Sequence, residues 1–518
     1  MKKRYLLGTD IGSSSTKTVI TDFHGNVLAS ATEGYEILCP QNAWAEQWPD
    51  VWENAARHTI RRVMKQSSAA ADEVVALCIS GLYGGSGIPL DENMEVVRPC
   101  IIWMDRRAEA LCERLKGELD QDELFRITEN GIDSYFGYTK MLWIKENEPE
   151  NWARTKLFMT PNQYVSYRLT GEIAIDRTSA GNLGGIFDYE KNDWSDSMLN
   201  LLGIPRSVLP QRILDPTDIV GTLNAEAAAT LRLAEGTPVC AGCIDCLAST
   251  LSSGVYSGNQ AVAVLATSLN WGLLHLQKPT DPQYISMPYL TKDHHLRYTY
   301  GGISTAGALT KWFAHNLALG TSAEGFEEKE QKLLFRELET AAAAIPAGSE
   351  GLLMLPYFMG ERTPIWDSKA RGSVLGLTVK HTTAHLYRAL LESVGYALRH
   401  VMESYGTTLP HDAVCRIVGG GTASRLWVQI LADITGVKLE CMTEGVEAPI
   451  GDAFLAGVAG GVFSGYEEID RWAKSYMVFC PNWSNHELYT RYYDIYKHMY
   501  PAIKEDMHKL AELGFSFE

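Results

Sequence analysis

Long apolar runs are missing from this 518-residue chain. No window approaches the ~18–20 uninterrupted apolar residues that cross a bilayer, so no membrane-spanning segment is expected. The start, Met1-Lys2-Lys3-Arg4-Tyr5-Leu6-Leu7-Gly8, joins a basic cluster to an apolar stretch far shorter than a secretory leader carries. Positive charge is also scarce: 46 Lys and Arg face 63 Asp and Glu, a formal net charge of −17. A nucleic-acid binder needs a clustered basic surface to meet the phosphate backbone, and an anionic membrane attracts the same kind of surface. Neither partner suits this composition. Cysteine, 10 residues in all, is too sparse for a disulfide scaffold, which makes a reducing cytoplasm the expected compartment. Cys240, Cys243 and Cys246 are evenly spaced, but an iron–sulfur run would continue to a fourth Cys where Thr250 stands. They read as small buried apolar side chains.

What is present suits a multidomain globular protein. With 46% hydrophobic and 10% aromatic residues, extended disorder is not expected. The length calls for two or three domains of roughly 150–250 residues. Near the start, Tyr5–Asp10 reads as a strand, Gly12-Ser13-Ser14-Ser15 as a tight turn, and Lys17–Asp22 as a β-branched second strand. Strand, turn, strand differs from the strand, Gly-rich turn, helix order of a P-loop or a dinucleotide fingerprint, and neither motif occurs at this turn. An amphipathic helix is expected around Pro49–Ser67, an apolar strand at Val74–Ser80, a helical region from Ala108 to Asn147, and a strand from Thr237 that ends at Ile244-Asp245. A second strand, Ala261–Leu265, runs into another hydroxyl-bearing turn, Ala266-Thr267-Ser268, about half the chain beyond Asp10. The recurrence suggests two related halves. Gly419-Gly420-Gly421 precedes a helix with one buried face from Arg425, another helix follows Pro449-Ile450-Gly451-Asp452, and the Tyr-rich tail from Asn485 reads as a surface helix.

Several of these segments can carry chemistry. The Gly12–Ser15 turn offers backbone N–H groups and hydroxyls to one point, as a phosphate oxygen requires. Asp10 beside it would repel phosphate unless a divalent cation lay between, so it reads as a Mg²⁺ ligand, with a plain polar hairpin as the alternative. The glycines at 419–421 allow close backbone approach at a helix start, where free N–H groups suit an anion, or form no more than a helix entry. Asp245 sits at a strand end among Cys243, Ile244, Cys246 and Leu247, an apolar bracket that raises a carboxylate's pKa and suits a general base; capping the next helix is the plainer role.

Taken together, the order of these turns matches the actin, hexokinase and heat-shock-chaperone superfamily, and within it the chain resembles the FGGY carbohydrate kinases over nearly its whole length. The resemblance rests on Gly372–Leu377 with His385–Glu392, on Lys140–Asn147, on Gly360-Glu361-Arg362-Thr363-Pro364 and on Trp103-Met104-Asp105-Arg106-Arg107. It implies an α/β fold of two actin-like (ribonuclease H-like) domains. Each would hold a mixed five-stranded sheet flanked by helices, with an active-site cleft between them. The expected domains are residues 1–255, 256–475 and a helical tail 476–518. By the same resemblance Gly12, Ser13, Ser14 and Lys17 face the ATP phosphates, and Asp10 and Asp245 the Mg²⁺. Thr267 and Ser268 form the second phosphate turn, and Gly307, Gly419, Gly420, Gly421 and Ser424 contact the nucleotide. Ala266 stands where Gly is more usual. Asp452 stands where Ala is more usual, and a helix-capping role is its simplest reading.

Asp245 matches the family's catalytic carboxylate, taking the proton as a sugar hydroxyl attacks ATP. The sugar site implied by the resemblance comprises Tyr83, Gly84, Trp103, Asp105, Arg106 and Tyr135, together with Asp245. The loop Ser80-Gly81-Leu82-Tyr83-Gly84-Gly85 lacks the His that xylulokinase-like members carry there, and also the Gln-Arg-Glu of glycerol kinases. Asp105 would accept from sugar hydroxyls, or else pair with Arg106 on a loop. The expected activity is ATP-dependent phosphorylation of a ketopentose such as xylulose or ribulose. Glycerol, erythritol, gluconate or a hexulose are the alternatives within the family, and a silent sugar- or nucleotide-binding regulator the alternative outside it. A homodimer is a family-level expectation.

Overall fold

Tight turns and β-branched residues divide the N-terminal segment into paired strands. In the computed structural model, which describes residues 3–83, 85–318, 328–405, 413–443 and 447–515, strand Tyr5–Ile11 turns back antiparallel into Ser15–Thr21 with Asp10 opposite Lys17. Val27–Gly34 adds a third antiparallel strand. Helix Pro49–Ser67 starts on a proline, ends at Ser68 in the left-handed region, and buries Trp52, Ala56, Ile60 and Val63 on one face. Val74–Gly81 then pairs parallel with Tyr5–Ile11, setting Ser80 beside Asp10.

The complete sheet runs Ile219–Thr222, Pro238–Cys240, Val74–Gly81, Tyr5–Ile11, Ser15–Thr21 and Val27–Gly34, with Cys243–Ile244 also paired to Val74–Gly81. It has seven strands where five were expected. One addition is the antiparallel edge strand. The other arises at Gly242, whose φ of +76° and close approach to the Ile79 carbonyl bend the chain so that it resumes pairing at Ser80 and Gly81. The expected helix across 108–147 is three helices, Glu109–Glu118, Gln121–Thr128 and Gly137–Asn147. Asp120 caps the second by accepting from Glu123 N, and Glu129 ends it in the left-handed region, so residues 130–136 form a loop.

The chain packs as two compact units. The first takes in Met1–Gly258, Leu274–Thr299 and Glu444–Lys474; the second takes in Asn259–Leu273, Tyr300–Thr443 and Ser475–Glu518. The first unit therefore includes two segments from beyond residue 255. In the second unit, Leu269–His275 is antiparallel to Ala261–Leu265, which is parallel to Val414–Val418, then parallel to Lys438–Met442, then antiparallel to Ser475–Phe479. The first sheet repeats this succession of senses from Ser15–Thr21 to Ile219–Thr222. The short recurrence seen around Asp10 and Thr267 thus extends to sheet topology.

The tail is not a surface helix. Helix Trp483–Phe515 buries Tyr489, Tyr493 and Tyr496 completely, because their spacing of four and three places all three on one face. The Tyr489 hydroxyl donates to Glu392 at 2.8 Å, and Glu392 also accepts from Arg388, Gly348 N and Ser349. The family-like stretch ending at Glu392 therefore anchors the C-terminal helix.

Within the first unit, helix Ala448–Ala459 lies against strand Tyr5–Ile11 at a separation that only glycine permits. A Cβ at Gly8 would fall 1.9 Å from the Pro449 carbonyl oxygen, and one at Gly451 would fall 2.0 Å from that of Ala248. Alanine in a helix interior normally gains about 1 kcal/mol over glycine. Gly451→Ala should reverse that sign and destabilise the protein by ~1–3 kcal/mol or more, because backbone would have to move. Urea denaturation checks this; a midpoint at or above the parent's would contradict the close-packing account.

Candidate active site

Asp10 lies near the end of the first strand, Ser80 on the parallel strand beside it, and Asp245 opens helix Asp245–Ser252. Asp452 points in from helix Ala448–Ala459 and is wholly buried. The Ser80 hydroxyl donates to Asp452 Oδ2 at 2.7 Å and lies 3.4 Å from Asp10 Oδ1. Asp245 Oδ1 accepts from Cys246 N at 2.6 Å. The N-cap position before Asp245 is held by Ile244, so its carboxylate lies in the first turn. Asp452 is not a cap either. Glu447 occupies that position, and Asp452 is one full turn inside, where the helix's close approach turns it toward Ser80.

Burial pushes the Asp10 carboxyl up to about 7, with Ser80 and Lys17 pulling it back and Glu447 adding to the rise. Burial holds Asp245 well above the usual carboxylate range, and the charge of Asp10 adds to this. Asp452 is raised in the same way, by burial first and then by Asp10 and Asp245 against the Ser80 hydrogen bond. Three acids thus repel one another in a poorly solvated corner. A cation is the natural partner for such a set. Among the described residues, no group of three or more His, Cys, Asp or Glu side chains is disposed to hold a metal. A divalent cation here would have one or two of these carboxylates and not a closed cage of protein ligands, a donor set that Mg²⁺ accepts.

The Gly12–Ser15 turn is anchored from several sides. Gly12 N donates to Ser15 O, the Tyr35 hydroxyl donates to Gly12 O at 2.7 Å, and Trp103 Nε1 donates to Ser13 Oγ at 2.9 Å. Ser14 is exposed, and Lys17 pairs with Glu447. Trp103 in turn stacks on Tyr83 with centroids 5.5 Å apart, and Tyr83 packs on Tyr135 at 5.3 Å. Three residues expected to face sugar therefore form one aromatic wall, tied to the Gly12–Ser15 turn through Ser13. Asn182 Nδ2 donates to the Tyr135 hydroxyl at 3.2 Å. Lys140 is completely buried, its pKa lowered to about 7 chiefly by burial, and its ammonium donates to the carbonyls of Ser134 and Tyr135. That is how a family-signature lysine holds the loop carrying the wall.

Arg106 is directed to Asp133 and Ser134 on the same loop. Asp105 has no exposure. Its oxygens accept from Ala45 N, Arg107 N and the Arg107 guanidinium, so its ion-pair partner is Arg107 and not Arg106. Arg107 also reaches Glu46 at 2.7 Å and lies 3.6 Å from the Trp44 ring centre, which accounts for the pairing: its guanidinium is already clamped in place. Gly84 lies outside the described residues.

In the second unit Thr267 is exposed and Ser268 half-buried on their turn. Gly307 N donates to Ala266 O at 2.9 Å, and a Cβ at Gly307 would meet that oxygen at 2.4 Å, so this glycine braces the turn. Gly419 has φ +104° against Leu265, and Gly420 and Gly421 follow in a short helical turn. Ser424 caps helix Arg425–Thr435 by accepting from Trp427 N, and donates to Glu339 Oε1 at 2.8 Å. Asp452 as an inward carboxylate, Ser80 and Asn182 were not anticipated. The sequence signal for Asp452 was its departure from the usual Ala; the other two become visible only through their partners.

Residues 5–252 match the N-terminal domain of the FGGY family of carbohydrate kinases and residues 262–460 match its C-terminal domain. Two actin-like α/β domains with these turns define a sugar kinase, an enzyme acting on a small-molecule sugar. The chain belongs to the FGGY family. It is 32% identical over 515 residues to the xylulose kinase of Lactococcus lactis, covering 98% of this chain and 99% of that one. It is 30% identical to the gluconokinase of Bacillus subtilis, covering 83% and 82% of the respective chains. The crystal structure of xylulose kinase from Rhodospirillum rubrum superimposes with a TM-score of 0.88 at 27% identity, covering 98% of this chain and all of the other. Among the described residues, no helix is long and apolar enough to cross a membrane.

The acid cluster makes stability depend on pH. A carboxyl at about 7 in the folded protein and ~3.9 in the unfolded chain binds its proton more tightly when folded, so its contribution is lost as pH rises between those values. Asp10→Asn removes that loss. Measured without nucleotide or divalent cation, the variant's thermal midpoint should gain on the parent's between pH 5 and pH 8. A difference that stays constant or shrinks over that range would contradict the burial account.

Proposed function

We propose that this enzyme transfers the γ-phosphoryl group of ATP to a hydroxyl of a ketopentose, xylulose first, with Asp245 as general base. The sugar oxygen attacks phosphorus in line, its bond to phosphorus forms as the bond to the ADP oxygen breaks, and the hydroxyl proton passes to Asp245. The observation that carries the reading is the Asp245 carboxylate at its strand–helix junction beside Asp10: burial raises its proton affinity, as a base requires. Phosphoryl transfer leaves the protein mainly to position reactants and offset charge. A Mg²⁺ ion held by Asp10 and Asp245 would supply that charge when bound. Gly12, Ser13, Ser14 and Lys17 are assigned to the phosphates. Thr267, Ser268, Gly307, Gly419, Gly420, Gly421 and Ser424 are assigned to the second phosphate turn and the nucleoside.

The sugar is assigned to the wall of Tyr83, Trp103 and Tyr135, with Arg106 at its edge. Xylulose is favoured by the relatives bearing that name. Asp105 is assigned an indirect part, since its acceptors are taken by Ala45 and Arg107. A second reading, gluconate, is favoured by the missing loop His together with the 30%-identical gluconokinase.

Coupled ADP detection with xylulose, ribulose, gluconate, glycerol and erythritol separates these. The highest kcat/KM is expected with xylulose; a gluconate optimum would select the second reading, and no sugar-stimulated ADP release from any of them a binding-only role. Asp245→Asn should lower kcat by ~10²–10⁴-fold while nucleotide affinity is retained. Near-parental turnover in that variant would remove Asp245 from the base role.

A further inference from the structure

A further buried carboxylate, Asp176, lies outside the set formed by Asp10, Asp245 and Asp452. It is fully buried and caps the short helix Arg177–Asn182 by accepting from Ser179 N at 2.8 Å. Four side chains also donate to it: Ser179 Oγ at 2.6 Å, Gln163 Nε2 at 2.7 Å, Asn162 Nδ2 at 3.2 Å and Thr178 Oγ1. Ser179, Gln163, Asn162 and Thr178 are all buried. Ordinary helix capping uses one such bond, so the remainder need another explanation.

The other ends of these bonds supply it. Gln163 Nε2 also donates to Ala241 O at 3.1 Å, Asn162 Nδ2 to Cys243 O at 3.4 Å, and Thr178 Oγ1 accepts from Ile244 N at 3.1 Å. Three backbone atoms in the four residues before Asp245 are thereby tied through three side chains to one carboxylate. An ionised carboxylate only accepts, so Thr178 must donate to Asp176, which leaves a hydroxyl lone pair for the Ile244 N–H. The same acceptor orients Gln163 with its NH₂ toward Asp176 and Ala241, even though its own Oε1 is left buried without a hydrogen-bond partner. Gly242, with its positive φ, bends the chain within this segment, whose backbone also pairs with Ser80 and Gly81.

We propose that Asp176 is a positioning residue for phosphoryl transfer: through Thr178, Asn162 and Gln163 it fixes the backbone that aims Asp245 at the attacking hydroxyl. The inference rests on Asp245 being the base. Small misplacements of a catalytic group carry large rate losses with little loss of binding.

The test is steady-state kinetics with the sugar that the substrate panel selects. Thr178→Val keeps the side-chain shape and removes the hydroxyl. It should lower kcat by ~10–100-fold and leave both KM values within about threefold, whereas Thr178→Ser should restore most of kcat. In an Asp245→Asn background, Thr178→Val should cost little more, because the group it aims is already gone. If Thr178→Val does not fold, Gln163→Met carries the same comparison from the other side of Asp176. A kcat within about twofold of the parent, or an equal loss with and without Asp245, overturns the proposal. Should Asp245→Asn itself keep turnover, the base assignment fails; should it collapse turnover while Thr178→Val does not, only the positioning role fails.

Discussion

Three carboxylates kept largely out of water set the conditions for the first unit. Asp10, Asp245 and Asp452 are each raised by burial; the charge of Asp10 adds to the rise of the other two, and that of Asp245 to the rise of Asp452. An arrangement of this kind persists only where the surroundings over-determine it. Here the restraint is backbone packing. Helix Ala448–Ala459 reaches the central strand and the helix that Asp245 opens through Gly8 and Gly451, and larger residues would push Asp452 away from Ser80. The Ser80 hydroxyl, Lys17 and Cys246 N provide partial compensation. The remaining negative charge is local to this corner, whereas the −17 of the whole chain is spread over 518 residues.

Around this corner, buried polar networks place groups that do not themselves belong to it. Lys140 holds the loop of Tyr135, Arg107 locks the segment after Trp103 by pairing with Asp105 and Glu46, and Asp176 gathers the backbone ahead of Asp245. Each network is costly to desolvate, and its several hydrogen bonds offset much of that cost, although Gln163 Oε1 is left without one and Arg107 Nη1 has only its ion pair with Glu46. The aromatic wall gains its orientation from the same source, since Trp103 is fastened to Ser13 and Tyr135 to Asn182.

Much of this was legible from local pattern. Strand Tyr5–Ile11, the Gly12–Ser15 turn, helix Pro49–Ser67 and strand Val74–Gly81 follow residue propensities and periodicity closely. Tyr83, Trp103 and Tyr135 were selected from separate segments and do come together. What failed was side-chain direction. Pro449 and Gly451 mark a helix start and so suggest a cap at Asp452, and abundant Tyr and charge suggest a surface helix in the tail, whereas side-chain direction follows the i, i+4, i+7 face and the helix packing. Asp105 reads from sequence as an acceptor for sugar hydroxyls, with a pair to Arg106 as the alternative, but its oxygens are taken by Ala45 N and by a bidentate Arg107.

The sequence by itself determined the opening strands, turns and helix, the recurrence between the two halves, and which residue types have the chemistry for phosphate, sugar and proton. Those depend on interactions between near neighbours, which leave a readable period or spacing. Tertiary structure alone decided which carboxylates share one corner, that Asp452 joins them through Ser80, and that Asp176 is hydrogen-bonded through side chains to the backbone before Asp245. Such assignments arise where distant segments meet at contact distance, and at that range a single Cβ or hydroxyl determines which partner a polar group finds.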